Sequence, residues 1–495
     1  MKVLVANRGE IAIRILRTCR EMNIPCVAIH TDVDQFALHI RHADETVMIG
    51  DKNKYLDIPT VIDAARKTGA TAIHPGYGFL AENADFASAV EEAGMTFIGP
   101  RPETIALMGD KLAARQTARE AGLPVLPGSD TPLPLEVPLE MAQDIHYPVL
   151  VKAAAGGGGR GIRLARSPRE LTEMAAAARQ EALAAFGNDT VYLESLVQEA
   201  RHIEVQILGD GFGHIVCLGE RECSIQRRRQ KLIEEAPAPL ITEPMRQQLY
   251  DMSNRLGSTL KYRGLGTVEF LLDAHEQFYF IEVNPRIQVE HPVTEMVTGL
   301  DLVKEQLKLA AGELFFLRQR DINLHGHAIE ARVLAEDSQN GFMPVIGTIT
   351  YLKEPGGPGV RVDSALYHGM MVTPDYDSLL SKVVAWGDDR NSSIQRLKRA
   401  LSEFQIGGIP SDLDFLLQVI ESPEFVSGQF TTTYLENFRP IDPTHEDELE
   451  REMALAAALY FRQQQRAPHP VSPGASPAEN PWRLTAWREQ MRGLN

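Results

Sequence analysis

The sequence is poor in cysteine: four among 495 residues, Cys19, Cys26, Cys217 and Cys223, with no C-x-x-C pair. That spacing argues against a zinc ribbon or a disulfide framework and fits a reducing compartment, so a cytoplasmic protein is expected. Long apolar runs are missing as well. The opening Met1-Lys2-Val3-Leu4-Val5-Ala6 is interrupted by Asn7-Arg8, too soon for a secretory signal or a membrane-spanning helix. Positive charge is in deficit: 50 Lys+Arg against 67 Asp+Glu leave a formal charge of −17. Nucleic acid and anionic membrane are therefore poor partners, although a local basic pocket could still hold phosphates. The pattern Gly-x-Gly-x-x-Gly is absent from the first strand-to-helix turn, which reads Ala6-Asn7-Arg8-Gly9-Glu10, and dinucleotide binding is disfavoured with it. Internal repeats are not evident.

What is present is an ordinary globular composition, 44% hydrophobic and 24% charged, in a chain long enough for several domains of about 100–200 residues each. The first hundred residues alternate β-branched runs (3–6, 27–30, 72–74) with helical stretches (11–22, 60–67). This βαβ rhythm predicts a mostly parallel sheet with helices on both faces. Five prolines within 123–138 mark a boundary. From Arg201 the pattern becomes strict alternation, Ile203, Val205 and Ile207 against His202, Glu204 and Gln206, as in antiparallel sheet. A third sheet-and-helix region runs to Pro440, followed by an acidic run at 446–452, an Ala/Leu-rich helical stretch and a proline-rich linker at 468–481.

Residues 266–284 carry the most chemical information. Two apolar strands flank a turn at 274–277, and a regular hairpin across that turn sets Glu269 opposite Glu282 with Asn284 two residues on along the same face. Opposed buried carboxylates need a cation between them or a proton on one of them, unless both are exposed at a rim. A hard cation with oxygen ligands, Mg²⁺ or Mn²⁺ bridging substrate phosphates, answers that need. Next, Arg286-Ile287-Gln288-Val289-Glu290 alternates polar with apolar. If extended, it projects Arg286, Gln288 and Glu290 to one side and packs Ile287 and Val289 on the other. A guanidinium fork suits a small oxyanion, and a neighbouring carboxylate can take its proton.

The run Lys152-Ala-Ala-Ala-Gly156-Gly157-Gly158-Gly159-Arg160-Gly161 follows the strand at 149–151 and lacks the Gly-Lys-Ser/Thr ending of a Walker A loop. Consecutive glycines expose amides and allow a lid to close over a triphosphate, and a bare linker is the alternative. Lys111 and Lys152 are candidate phosphate contacts. Gln226-Arg227-Arg228-Arg229-Gln230-Lys231 has no interleaved aromatics and is followed at once by Leu232, Ile233, Glu234 and Glu235, so an anion site around Lys231 is preferred to a nucleic-acid patch.

Asn7-Arg8-Gly9-Glu10-Ile11-Ala12, the stretch from His74 to Asn83, Met108-Gly109-Asp110-Lys111, the glycine run, Glu234-Glu235-Ala236-Pro237, the stretch from Arg286 to Glu295, and Tyr376-Asp377-Ser378 together resemble the biotin carboxylase component of biotin-dependent carboxylases, an ATP-grasp family, over residues 1–440. The resemblance implies an α/β, ATP-grasp protein with a Rossmann-like N-terminal domain (1–110), a mobile glycine-rich lid (111–200), a central catalytic domain (201–330), a C-terminal mixed α+β domain (331–440) and a tail at 441–495 with possible partner docking. It implies an ATP-hydrolysing ligase that carboxylates biotin with bicarbonate. Lys111, Lys152, Gly157, Gly158, Gly159, Glu194, His202 and Gln226 would contact nucleotide. Glu269, Glu282 and Asn284 would hold Mg²⁺ or Mn²⁺. Lys231, Arg286, Gln288 and the Val289 backbone would hold bicarbonate, with Glu290 the general base and Arg332 steadying the biotin ureido oxygen. Met-Lys occurs only at Met1-Lys2, so biotin would come from a separate carrier protein, with a separate carboxyltransferase, an acyl-CoA type complex and a homodimer expected. Three positions depart from the family pattern: Arg229 near the nucleotide ribose, Leu334 in place of a common Asn, and Ser411-Asp412 in place of Thr-Asn.

Overall fold

The computed structural model describes residues 1–135, 147–156, 161–441, 454–460 and 462. The chain divides into two compact units, Met1–Pro440 and Ile441–Asn495. The glycine run at 157–160, the acidic run at 446–452 and the proline-rich linker at 468–481 lie outside the described residues. In the second unit, residues 454–460 form a helix with exposed side chains.

The first unit begins with a five-stranded parallel sheet in the order Glu45–Met48, Cys26–His30, Val3–Val5, Ala72–His74, Thr96–Phe97. Each expected strand and helix of this region is present, displaced at its ends by one or two residues. Helix Gly9–Glu21 repeats apolar side chains at helical spacing, and Ile11, Ile15, Leu16 and Cys19 are buried on one face of the sheet. Val61 and Ala65 of helix Ile58–Thr68, with Phe86 and Val90 of helix Ala84–Glu92, cover the other face. Gly9, at φ +66°, lets the chain turn from strand into helix where a side chain would be strained. That turn leaves Asn7–Glu10 at the carboxyl edge of the sheet, where open α/β folds bind ligands.

A small antiparallel sheet, Ile162–Ala165, Val149–Ala153 and Val191–Ser195, packs under helix Pro168–Phe186. Ser167 caps the helix start and Gly187, in the left-handed region, ends it.

The largest element is an eight-stranded antiparallel sheet in the order Phe278–Asn284, Arg263–Leu272, Arg201–Asp210, Ile215–Arg227, Gln230–Ala236, His327–Leu334, Leu379–Gly387, Val360–Ser364. Ile203, Val205 and Ile207 face Leu249, Met252 and Leu256 of helix Glu243–Thr259 in one core cluster. The opposite face of the same strand carries Glu204 and Gln206, both fully buried, and that face holds the site. The sheet is continuous from the central region into the C-terminal region. The expected boundary at 330/331 therefore falls inside strand His327–Leu334, because unpaired strand edges are satisfied by joining two regions into one ladder. Helices Arg390–Glu403 and Leu413–Glu421 cover the C-terminal strands. Among the described residues no helix is long and apolar enough to cross a membrane.

Candidate active site

A cavity of about 1200 Å³ opens beside the carboxyl end of strand Val3–Val5, the small sheet and the polar face of the large sheet. Lys111, Lys152, Glu282, Arg286, Glu290 and Arg332 are among its lining residues.

The hairpin of the large sheet sets Glu269 directly opposite Glu282, and Thr267 opposite Asn284. Two local departures from the regular hairpin cancel to give that register. The turn has three residues, 274–276, not four: the Asp273 N–H donates to the Gln277 carbonyl, and Glu276 takes φ +59°, as three-residue hairpin loops require. A bulge between the pairs Glu269/Glu282 and Phe270/Phe280 then restores the lost residue of register.

Opposed carboxylates were expected to need a cation or a proton between them, and here the protein supplies the cations. Lys231 reaches Glu204 at 2.5 Å, Glu269 at 2.9 Å and Glu290 at 2.6 Å. Burial works against its charge, but these carboxylates hold its pKa well above the usual lysine value. His202 Nε2 lies 3.1 Å from Glu269. Burial disfavours the imidazolium, and Glu269 more than offsets this, raising the pKa to about 9. Burial pushes Glu269 up while Lys231 and His202 bring it down to about 2. Glu282 pairs with Lys111 at 3.2 Å. The donor set Glu269, Glu282 and Asn284 nonetheless fits a hard divalent ion, since it offers carboxylate and amide oxygens on one face of a cavity whose wall also carries Lys111 and Lys152. Arg286 Nη2 donates to Asn284 Oδ1 at 3.0 Å and Asn284 Nδ2 donates to Glu269 at 2.9 Å, which orients that amide.

Residues 286–290 are not extended. A bend at Arg286 leads into a turn at Val289-Glu290, and Glu290 is the N-cap of helix His291–Thr298. The reason lies just beyond: Pro292 is suited to the first turn of a helix, so the chain leaves the sheet here. Arg286, Gln288 and Glu290 still converge, because Ile287 is anchored in the core. Val289 lines the cavity and does not pack in the core with Ile287. Gln288 Nε2 donates to Glu269 at 2.9 Å. Glu290 is held between Lys231 and Arg332, the latter at 3.0 Å. Burial would raise its pKa, but these cations keep it below the usual value, so it is ionised at neutral pH. Arg332 also pairs with Glu234.

On the opposite wall, Lys152 donates to Glu194 at 2.5 Å and Arg115 donates to the other Glu194 oxygen at 2.7 Å. Both carboxylate oxygens of Glu194 are thus taken by cations, and its side chain serves to fix Lys152. Lys111 also donates to the Gly156 carbonyl at 2.5 Å, at the start of the glycine run. Gly157, Gly158 and Gly159 lie outside the described residues. The Gln226 amide is 3.1 Å from His202 Nδ1. Arg228 and Arg229 form a two-residue turn between their strands, both with positive φ, and both line the cavity.

Glu204, Arg221 and Lys382 were given no role from the sequence. Arg221, fully buried, donates to Glu204, Gln206, Thr267, Gln288 and Thr294 and so braces the floor of the site. The signal for Glu204 was present: it shares the polar face of an alternating strand with His202, and in a strand flanked on both sides that face is buried.

Three family models match the chain: the biotin carboxylase N-terminal domain over residues 1–105, the carbamoyl-phosphate synthase L chain ATP-binding domain over 110–317, and the biotin carboxylase C-terminal domain over 330–437. The biotin carboxylase of Nostoc sp. is 51% identical over 439 residues, 88% of this chain and 98% of that protein. Biotin carboxylase 1 of Bacillus subtilis is 50% identical over 442 residues, with the same coverage. Among solved structures, a biotin carboxylase–β,γ-ATP complex from Campylobacter jejuni aligns with a TM-score of 0.86 at 44% identity, covering 88% of this chain and 98% of that one. The biotin carboxylase domain dimer of a Hydrogenobacter thermophilus 2-oxoglutarate carboxylase, in complex with MgADP, ADP and bicarbonate, aligns with a TM-score of 0.86 at 46% identity, covering 88% and 97%.

Proposed function

The chain belongs to the biotin carboxylase family and is an enzyme, and from that premise we propose that it uses ATP and bicarbonate to carboxylate a ureido nitrogen of biotin borne on a separate carrier protein. The observation that carries this reading is the ionised Glu290 carboxylate held between Lys231 and Arg332, beside the oxygen-rich face of Glu269, Glu282 and Asn284.

In this reading Lys111, Lys152 and His202 contact the nucleotide, with the glycine run, Glu194 and Gln226 completing its pocket. Glu269, Glu282 and Asn284 hold Mg²⁺ or Mn²⁺, which supplies charge neutralisation at the phosphates. Lys231, Arg286, Gln288 and the Val289 amide hold bicarbonate, and Glu290 removes its proton. The resulting dianion attacks the terminal phosphorus of ATP and gives carboxyphosphate and ADP. Carboxyphosphate releases CO₂ and phosphate beside the biotin, the phosphate accepts the ureido proton, and the nitrogen attacks CO₂. Arg332 stabilises the negative charge that develops on the ureido oxygen; to do so it exchanges its contact with Glu290 for one with substrate. Positioning carries most of the chemistry, and excluding water protects the labile intermediate.

The finer assignments belong to the same reading. The domains run 1–110, 111–200, 201–330 and 331–440, the last two sharing one continuous sheet through strand His327–Leu334, with 441–495 available for partner docking. The enzyme works in the cytoplasm as a homodimer, with a carrier protein and a carboxyltransferase, in an acyl-CoA carboxylase complex. The dimer is supported by the dimeric domain from Hydrogenobacter thermophilus. ATP hydrolysis measured with and without bicarbonate and free biotin tests the reaction. Turnover that needs bicarbonate and rises with biotin supports it, and turnover indifferent to both overturns it.

A further inference from the structure

The segment carrying Glu290 turns, and two of its carbonyls end on buried side chains. The Gln288 carbonyl accepts from Nδ1 of His291 at 2.7 Å, and the Val289 carbonyl accepts from Nζ of Lys382 at 2.9 Å. Both side chains are 0% exposed and neither lines the cavity. Lys382 stands on a strand of the large sheet, opposite Arg332 on one neighbour and Asp363 on the other. Its charge is met by Glu10 at 3.1 Å and Asp363 at 4.0 Å. A buried ammonium is costly unless paired and hydrogen-bonded, and its donation to one particular carbonyl asks for a reason. His291 is kept neutral by burial and by the nearby cations Lys382, Arg14 and Arg361. A neutral ring facing a carbonyl through Nδ1 carries its proton there.

The peptide bonds here are trans, and in a planar trans peptide the N–H points away from the C=O. With the Gln288 and Val289 carbonyls anchored in the protein, the N–H groups of Val289 and Glu290 face the other way, toward the side where Gln288, Val289 and Glu290 line the cavity. Among the described residues neither N–H meets an acceptor. Successive amides aimed in one direction form an anion cradle, here beside the Arg286 guanidinium and at the start of a helix whose dipole adds the same sign.

We propose that Lys382 and His291 are positioning residues: by holding two carbonyls away from the cavity, they aim the Val289 and Glu290 amides at the hydrogencarbonate oxygen. The proposal deepens the bicarbonate reading and rests on it. Neither side chain touches substrate, and each acts only through the main chain.

The test compares Lys382→Met/Glu10→Gln with Glu10→Gln alone, so that the lysine is removed together with the carboxylate nearest to it. The expected result is a bicarbonate KM raised about ten- to hundredfold, the loss that follows when an anion gives up aligned donors, with the ATP KM within about twofold. A second pair, His291→Leu and His291→Gln, decides the matter if the lysine variant does not fold. Leucine removes the side-chain donor, leaving the Gln288 carbonyl only the longer bond from the N–H of residue 291 at 3.3 Å, and should raise the bicarbonate KM likewise, while glutamine keeps a side-chain N–H and should recover most of the affinity. A folded variant with an unchanged bicarbonate KM, an ATP KM that rises in step with it, or leucine and glutamine behaving alike overturns the proposal alone. A wild-type enzyme without bicarbonate-dependent turnover overturns the underlying reading and the proposal together.

Discussion

Replacing Glu290 by glutamine isolates the base from the rest of the site. The carboxylate engages Lys231 with one oxygen at 2.6 Å and Arg332 with the other at 3.0 Å. An amide offers one oxygen, so one of the two cations loses its partner there. Lys231 keeps Glu204 and Glu269, and Arg332 keeps Glu234, which limits the stability cost to about 1–3 kcal/mol, and the protein stays folded. Loss of a positioned base removes about 10²–10⁴ in rate, or ~3–5 kcal/mol of barrier. Lys111, Lys152 and Glu194 make no contact with Glu290, so nucleotide affinity should hold within about twofold. Bicarbonate-dependent ATP hydrolysis, with and without free biotin, gives the first number, and calorimetric titration with nucleotide gives the second. Turnover within about fivefold of wild type refutes the assignment of the base. A loss of nucleotide affinity equal to the loss of turnover refutes the separation of the two subsites.

Three further outcomes are expected. Glu282→Gln should raise the Mg²⁺ concentration for half-maximal turnover about tenfold while leaving the bicarbonate KM in place, since one oxygen ligand is lost; an unchanged Mg²⁺ requirement counts against that ligand. His202 has its folded pKa raised to about 9, above the usual ~6.5. Its contribution to stability is therefore full below ~6.5 and is lost as pH rises through about 9. Thermal melts of the ligand-free protein should fall over that window, and His202→Gln should flatten the fall. Asp412 is fully buried, with Oδ1 accepting from the Leu334 N–H at 2.8 Å and Oδ2 unpartnered. Burial raises its pKa well above the usual carboxylate value, so stability is full below the unfolded value and is lost as pH rises toward the folded one. Asp412→Asn should raise the melting midpoint at pH 8 more than at pH 5, and equal shifts at both would contradict this.

Much of the site was legible because its residues are close in sequence. Glu269, Glu282 and Asn284 share one hairpin, whose register was reached from an assumed four-residue turn and holds because the shorter turn and the bulge cancel. Arg286, Gln288 and Glu290 were placed together on the assumption of a strand, and they converge from a turn into a helix because Ile287 anchors the segment either way. What could not be read was long-range. Lys231, Glu204 and Arg221 meet only through strand neighbours fixed by the order of the large sheet, and Lys382 reaches Val289 from 93 residues away. The balance of charge around Glu269 was missed for the same reason: local pattern exposed the repulsion, while the cations that relieve it come from other strands. Leu334 and Asp412, two departures noted separately, touch each other, a pairing no local pattern contains.

The uninterrupted ladder through His327–Leu334 bears on how such enzymes can be recombined. Arg332 lies in that strand, which pairs on one flank with Gln230–Ala236 and on the other with Leu379–Gly387. The C-terminal third is thus no cassette to be exchanged between paralogues. A graft spliced at 330 would sever a backbone whose two neighbours come from opposite sides of the cut, whereas a splice within the strandless stretch 311–326 would transplant the arginine together with the strand that presents it.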